Sequence, residues 1–525
     1  MRQKSAAIWC SISPPATQRK TGASILRLID LINGDQPANA VLAAAGDIDI
    51  EGLTADSRQV RPGYLFAALP GAKADGRAFI ADAIGRGARA VLASSGAQAG
   101  GLTLDGTVPI IADANPRQRL ARMAARFYGQ QPEHVVAVTG TNGKTSVVDF
   151  TRQIWTYLGR KAASVGTLGV VAPDLPSTKG LTTPDPVELH RVLATLAGSG
   201  VGFLSMEASS HGLDQYRLDG VRVTAAAFTN LARDHLDYHA DMEAYFQAKT
   251  QLFCRVMAPG GTAVLNADMP QFATLARICA RRDHRIVSYG RAMGADLRLV
   301  DRLPRPDGQR LGMILHGKAR EIDLPLAGGF QAMNALAALA LVMATGIPLD
   351  EALPALEHLR GVPGRLERVA TLPGGATIYV DYAHKPGALD AVLSEMRPFV
   401  EHRLAVVFGC GGERDRGKRP MMGEIAARLA DRVIVTDDNP RSEDPAAIRA
   451  EVMQGCPGAQ EIGDRAVAIH SAIAALEPGD VLVIAGKGHE QGQEIGGETR
   501  PFDDAAVARA SVARLYGADT TGRSA

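Results

Sequence analysis

The chain has 525 residues, 46% hydrophobic and 22% charged, with a formal net charge of +1. That is the composition of a globular protein with room for about three to four domains. It excludes attraction to nucleic acid by overall charge, and no apolar run approaches the ~20 residues that a membrane span needs.

Residues 1–22 carry Arg2, Lys4, Arg19 and Lys20 around Pro14-Pro15 and lack the apolar core of a secretory signal, which predicts a disordered extension. A first block, residues 23–128, reads as a small α/β unit. It contains Leu53-Thr54-Ala55-Asp56-Ser57-Arg58 and Gly71-Ala72-Lys73-Ala74-Asp75-Gly76-Arg77. The cysteines Cys10, Cys254, Cys279, Cys410 and Cys456 are odd in number and share no CxxC spacing. Reduced thiols of a cytoplasmic protein are the expectation.

The second block, residues 129–361, opens on the most informative stretch of the chain. The apolar run Val135–Val138 empties into Thr139-Gly140-Thr141-Asn142-Gly143-Lys144-Thr145-Ser146, and a helix is predicted to about Leu158. Glycines let backbone N–H groups approach phosphate oxygens, and a helix N-terminus adds positive potential. Lys144 can reach the outer phosphates, and the Thr145 hydroxyl can ligate magnesium. The pattern departs from the usual loop, which has a glycine where Val138 stands. Apolar runs at Gly202–Met206, Ala225–Phe228 and Thr262–Leu265 alternate with helical stretches, predicting a parallel sheet covered by helices. Glu207, at the end of one run, is the kind of carboxylate expected beside a nucleotide-bound magnesium. Residues 234–239 hold two histidines and two aspartates, but no further Cys or His stands at zinc spacing. Asp301 to Arg310 reads as a surface hairpin or loop, and Ala335 to Met343 as a buried helix.

The third block, residues 362–525, has four β-rich runs: Thr377–Val380, Leu404–Phe408, Arg432–Thr436 and Val481–Ile484. Each ends in a polar cluster: Asp381-Tyr382-Ala383-His384, Gly409-Cys410-Gly411-Gly412-Glu413-Arg414, Asp437-Asp438-Asn439-Pro440-Arg441, and Gly486-Lys487-Gly488-His489-Glu490. Ligands bind beyond the carboxyl ends of strands in open α/β sheets, so four such clusters predict a binding face.

Taken together, Thr139–Thr145, Met206-Glu-Ala-Ser-Ser-His-Gly-Leu213, Asn230-Leu231 with Asp234–His239, Asp381–His384, Gly409–Gly412 and Asp438–Arg441 resemble the Mur ligase family. The likeness is collinear from about Ala23 to Leu515 and is nearest to members that add meso-diaminopimelate to UDP-N-acetylmuramoyl-L-alanyl-D-glutamate. It implies an α/β protein of three domains: one for the UDP moiety, a central P-loop ATPase, and a C-terminal Rossmann-like domain for the incoming amino acid. The reaction it implies is phosphorylation of the D-glutamate γ-carboxylate by ATP, followed by attack of an amine on the acyl phosphate, with magnesium as the expected cofactor.

The resemblance also assigns residues. Gly140, Thr141, Asn142, Gly143, Lys144, Thr145 and Ser146 would hold the ATP phosphates, with Asn334, Arg365 and Asp381 at base and ribose. Gln331 stands where asparagine is common. Thr145, Glu207 and His235 would help bind metal. Lys249 lies where the family carries a carbamylated lysine, the alternative being a surface lysine on a helix; as a carbamate it would bind a second magnesium. Ala55, Ser57, Ala72, Lys73, Ala74, Thr182, Thr183, Ser209, Gln215 and Arg217 would contact the UDP substrate. Ala72 and Leu181 replace the His and Asn usual in relatives. Arg414, Asp438, Asn439, Pro440, Arg441, Gly486 and Glu490 would choose the amino acid. Arginine grips the distal carboxylate that diaminopimelate has and lysine lacks, and Glu490 would take the distal ammonium. The competing readings are a lysine-adding ligase, a folylpolyglutamate-synthetase-like ligase, and a nucleotide-binding regulator that has lost ligation. A cytoplasmic monomer that neither binds nucleic acid nor enters membranes is the expectation.

Overall fold

Three sheets of four, eleven and six strands carry the fold, with two two-stranded ribbons beside them. The computed structural model describes residues 25–32, 48–71, 75–95, 108–178 and 181–517. The expected extension over 1–22 and the candidates Ala72, Lys73 and Ala74 lie outside them.

The N-terminal sheet is wholly parallel, in the order Gly52–Thr54, Tyr64–Ala68, Ala90–Ser94, Ile110–Asp113. The helix Pro116–Tyr128 covers it with Leu120, Met123, Ala124 and Phe127. Asn115 starts this helix by accepting from Gln118 N at 3.2 Å, with proline in the first turn.

The central sheet has a parallel middle and antiparallel edges. Its parallel part runs Ala162–Gly166, Phe203–Glu207, His134–Thr139, Val223–Phe228, Thr262–Asn266, Arg285–Gly290, Leu297–Arg305. Gly169–Ala172 and Leu175–Thr178 extend one edge, and Gly308–Leu315 and Lys318–Leu324 the other, all antiparallel. The sheet is therefore mixed rather than parallel. Each edge closes with hairpins, whose connections of a few residues suit antiparallel pairing. The polar interval Asp301 to Arg310 straddles one of these hairpins, within Leu297–Arg305 and Gly308–Leu315.

Against this sheet lie the helices Lys144–Tyr157 and Gly329–Ala344, which share one core cluster. The second is apolar nearly all round because it is buried nearly all round: Leu336, Leu339 and Leu341 are fully enclosed. Each such leucine contributes about 1.5–3 kcal/mol.

The C-terminal sheet runs Glu367–Thr371, Thr377–Asp381, Val481–Ala485, Leu404–Phe408, Arg432–Val435, Gln460–Glu461. Only the first strand is antiparallel. The four interior strands match the four β-rich runs, and their carboxyl ends point the same way.

The chain divides into two compact units. Met1–Gln130, Asp185–Ala194 and Gln215–Gly220 form the first; Gln131–Pro184, Thr195–Asp214 and Val221–Ala525 form the second. The central and C-terminal sheets thus belong to one unit. Among the described residues no helix is long and apolar enough to cross a membrane.

Candidate active site

Two glycines shape the phosphate loop by necessity. Gly140 (φ +136°) leaves a Cβ only 2.0 Å from Thr229 Oγ1, and Gly143 (φ +85°) leaves one 2.5 Å from Asn334 Oδ1. No side chain caps the helix that follows, which leaves its first N–H groups and its dipole to the loop. Lys144 Nζ donates to Gly140 O at 3.0 Å and Thr141 O at 2.8 Å. Burial lowers its pKa, against the opposing charge of Glu207 and Asp234, while Arg365 and Lys385 push it further down. The loop lysine therefore shares one electrostatic neighbourhood with groups from both sheets.

Thr145 and Glu207 line one small cavity with Ser164 and Gly166. Glu207, 1% exposed, accepts from Thr167 N at 2.8 Å and from Thr167 Oγ1 at 3.2 Å. Burial depresses His235 to about 4, so its imidazole is neutral at pH 7. Among the described residues no group of three or more His, Cys, Asp or Glu is placed to hold a metal alone. A hydroxyl and a carboxylate sharing a cavity are instead the hard-oxygen pair that suits magnesium carried in on phosphates. His235 and Lys249 do not line that cavity.

Lys249 is not a surface lysine. It is 1% exposed within the helix Met242–Gln251, donates to Gly140 O at 2.8 Å, and lies 4.3 Å over the Tyr245 ring. Burial, with the charge of Lys144, holds its pKa well below the usual lysine range. A π-helical stretch, Leu252–Val256, follows at once, a distortion often found at functional sites.

The expected base and ribose contacts form a relay away from the loop. Asn334 donates to Gln331 Oε1 at 3.0 Å, and Gln331 Nε2 donates to Arg365 O at 2.9 Å. Asp381 accepts from Leu366 N at 2.7 Å; burial raises its carboxyl to about 6 despite the nearby Arg365 charge. Arg365 stacks 4.8 Å over the Tyr382 ring.

Of the expected UDP-substrate contacts, Thr182, Thr183 and Ser209 come together. Thr183 Oγ1 donates to Glu207 O at 3.1 Å and accepts from Ser209 N at 3.1 Å, while the Thr182 and Thr167 hydroxyls lie 3.2 Å apart. Leu181 is exposed. In the first unit, Arg217 donates to Gln215 Oε1 at 2.7 Å, Ala55 is exposed, and Ser57 opens a short 3-10 turn capped by Asp56.

The expected amino-acid contacts gather at the strand ends of the C-terminal sheet. A Cβ on Gly411 would lie 2.9 Å from Arg441 Nη1 and 3.9 Å from Arg414 Cγ, so both candidate arginines flank this glycine. Arg441 adopts φ +55° and is held by Gly412 O at 2.7 Å and Glu494 Oε2 at 2.8 Å. Gly486 admits Asp438: a Cβ there would lie 2.6 Å from Asp438 Oδ2. That oxygen is buried without a hydrogen bond, and burial raises the carboxyl's pKa. Sequence reading missed Lys385, which pairs with Asp234 from the C-terminal side, and the fully buried Arg465–Asp504 pair at 2.7 Å. Both join residues far apart in the chain, where local pattern carries no signal. Cys254, Cys279, Cys410 and Cys456 are free thiols.

Three family models cover most of the sequence: the Mur ligase family catalytic domain over residues 49–128, the Mur ligase middle domain over 138–342, and the Mur ligase glutamate ligase domain over 364–488. The chain belongs to the Mur ligase family. Two Mur ligase relatives are the UDP-N-acetylmuramoyl-L-alanyl-D-glutamate–2,6-diaminopimelate ligases of Mesorhizobium japonicum and Brucella melitensis. Each is 53% identical, over 470 residues (89% of this chain and 96% of the relative) and 484 residues (90% and 96%). A solved structure of a ligase of that name superposes with a TM-score of 0.70 at 33% identity, covering 93% of this chain and 99% of that one. A Mycobacterium tuberculosis folylpolyglutamate synthase complexed with ADP shares the fold at 21% identity, with a TM-score of 0.58 over 75% and 93% of the two chains.

Proposed function

We propose that this Mur ligase joins meso-diaminopimelate to the D-glutamate of UDP-N-acetylmuramoyl-L-alanyl-D-glutamate, at the expense of ATP, in peptidoglycan precursor synthesis. The observation that carries the reading is the pairing of Arg414 and Arg441 about Gly411, in a chain half identical to relatives named for that reaction. A carboxylate does not acylate an amine because its leaving oxygen is too basic. The γ-carboxylate oxygen therefore attacks the γ-phosphorus of ATP, and the bond to the ADP oxygen breaks. The amine nitrogen then attacks the acyl carbon, phosphate leaves, and the nitrogen loses a proton. Phosphoryl transfer needs positioning and charge neutralisation more than covalent help. Lys144 and the loop N–H groups supply both for the outer phosphates. Thr145 and Glu207 would hold magnesium, which would neutralise charge on the phosphoryl oxygens, and neutral His235 would be a metal ligand outside that cavity.

Lys249 is the natural site of carbamylation. Only a neutral amine attacks carbon dioxide, forming an N–C bond and releasing a proton, and the burial of Lys249 favours that neutral form. Asn334, Arg365 and Asp381 take the base and ribose, and Thr182, Thr183 and Ser209 the UDP-linked peptide. The enzyme is proposed to act as a monomer in the cytoplasm.

The test is ATP-dependent phosphate release with UDP-N-acetylmuramoyl-L-alanyl-D-glutamate, comparing meso-diaminopimelate with L-lysine. Release far faster with diaminopimelate than with lysine, with a product heavier by one diaminopimelyl residue, is expected. Preference for lysine would overturn the roles of Arg414 and Arg441, and no turnover with either amine would overturn the reaction.

A further inference from the structure

Lys487 has no part in the chemistry above, yet it is among the largest fully buried side chains. Its Nζ donates to Asn439 Oδ1 at 2.9 Å and to Glu490 Oε2 at 3.1 Å. Asn439 Nδ2 donates to the same Glu490 oxygen at 3.0 Å, which closes a triangle. Asn439 Oδ1 accepts a second bond, from Glu494 N at 3.0 Å. A buried ammonium is costly unless paired. Here Glu490 pairs it, and the benefit is mutual: Lys487 and Asn439 outweigh the effect of burial and hold the Glu490 carboxyl below its usual range.

The triangle spans a gap that the sheet does not bridge. Asn439 follows the strand Arg432–Val435 and Glu490 follows Val481–Ala485, and Leu404–Phe408 lies between those strands. No pairing between those two strands sets the separation of the loops. Beyond the triangle, Arg441 N donates to Glu494 O at 2.9 Å and Gly496 N to Arg441 O at 2.7 Å, and it is the Glu490 side chain itself that the triangle braces. Both donors also converge on Oε2 of Glu490, so Oε1 is left to Tyr382, whose hydroxyl lies 3.4 Å away, and to the substrate side.

We propose that Lys487 is a positioning residue for the incoming amino acid, bracing Asn439 against Glu490 so that Glu490 Oε1 meets the distal ammonium. The inference rests on the reading of the amino-acid site given above. It separates two kinds of recognition. Arginine reads the distal carboxylate, which lysine lacks; the Lys487 brace serves the distal ammonium, which diaminopimelate and lysine share.

The experiment is steady-state kinetics of the full-length enzyme carrying Lys487→Met, Glu490→Gln, the two together, and Arg441→Ala. Losing one partner of a buried, hydrogen-bonded charge pair should raise the KM for diaminopimelate by at least about 30-fold in Lys487→Met. The KM for ATP should stay within about twofold, because the triangle reaches the nucleotide relay only through the Tyr382 ring. Lys487→Met should lower kcat/KM for diaminopimelate and lysine by the same factor, whereas Arg441→Ala should lower it for diaminopimelate alone. The double variant should be little worse than the worse single one, since both changes act through Glu490. Equal rises in KM for ATP and amine, a lowered Tm with unchanged KM, or single effects that multiply in the double variant would each overturn the proposal. Lys487→Gln, neutral but able to keep one hydrogen bond, takes the place of Lys487→Met if that variant does not fold, and an unchanged amine KM there would overturn it too. Wild-type enzyme that ligates a different amine would overturn the substrate reading only; Lys487 is then tested on the KM for that amine.

Discussion

Lys249 shows how one buried amine can be read two ways and why the environment decides between them. On a helix, a lysine next to Thr250 and Gln251 reads as solvent-facing, yet it sits against Gly140 O and the Tyr245 ring, beside a second cation, Lys144. Carbamylation would turn that unfavourable positive charge into an anion. Lys249→Ala should therefore lose nearly all ligase activity and recover part of it with added short carboxylates such as formate or acetate, read as phosphate release; wild-type activity without additive would remove the carbamate role. Asp381 makes the complementary case with an acid. Its folded value of about 6 lies above the ordinary 3.8, so between these pH values the native state binds more protons than the unfolded chain. Stability contributed by this group is thus greatest below about pH 4 and falls as pH rises to about 6. Asp381→Asn should be more stable than wild type at pH 7.5 by about 3 kcal/mol, an advantage that vanishes toward pH 4 in urea titrations, while its KM for ATP rises. At this scale the sequence was legible wherever neighbours in the chain do the work, as in Gly140 to Ser146. It was silent on Lys385 with Asp234, 151 residues apart, and on Lys487 with Asn439, 48 apart.

The C-terminal elements are held in register by a buried charge pair that no periodicity announces. Arg465, first residue of the helix Arg465–Ala474, meets Asp504, first residue of Asp504–Tyr516, and both are fully enclosed. The same guanidinium donates to Ala485 O at 2.9 Å and Asp437 O at 3.4 Å, at the ends of two strands that lead into the binding loops. Removing one partner strands the other in the core, so Asp504→Ala should cost about 3–5 kcal/mol in urea unfolding, while Arg465→Met with Asp504→Leu should cost less. Equal losses in the single and the double variant would mean that the pair's geometry, not its compensation of charge, is what matters. The strands themselves were readable because the four interior runs are continuous, β-rich and bounded by glycine or Asp-Asn-Pro turns. The antiparallel edges of the central sheet were readable only at Asp301 to Arg310, as a hairpin or loop. Their polar strands, such as Lys318–Leu324, alternate charged and apolar residues on a half-exposed face and resemble loop when read alone.

On the scale of the molecule, the proposed nucleotide site would be shared between two sheets within one compact unit. The phosphate loop and Asn334 belong to the central sheet and its helices, while Arg365 and Asp381 belong to the C-terminal one. Beside the apolar packing of Ala327 and Phe330 on the C-terminal core, polar bonds join them: Gln331 to Arg365 O, Lys385 to Asp234, and Glu395, which accepts from Gly329 N at 2.7 Å and pairs with Arg302 at 3.0 Å. Polar contacts of this kind give a junction whose stability a ligand can add to, because a ligand held by both sheets must be released before either unfolds. Binding linkage gives the size: a ligand at 100 times its Kd stabilises by about 2.7 kcal/mol. Magnesium with a non-hydrolysable ATP analogue should therefore raise the Tm of wild type by about 2–3 °C, since a chain of 525 residues shifts by on the order of 1 °C per kcal/mol. The shift should disappear in Lys144→Ala, which disarms the central side, and shrink sharply in Arg365→Ala, which alters only the C-terminal side. A full shift in Arg365→Ala would place the nucleotide on the central sheet alone, and the polar junction would then serve the architecture rather than catalysis. Loss of the shift in both variants would mean that ATP is read by the two sheets together, so that phosphoryl transfer occurs only where the amino-acid loops are already in place to meet the acyl phosphate.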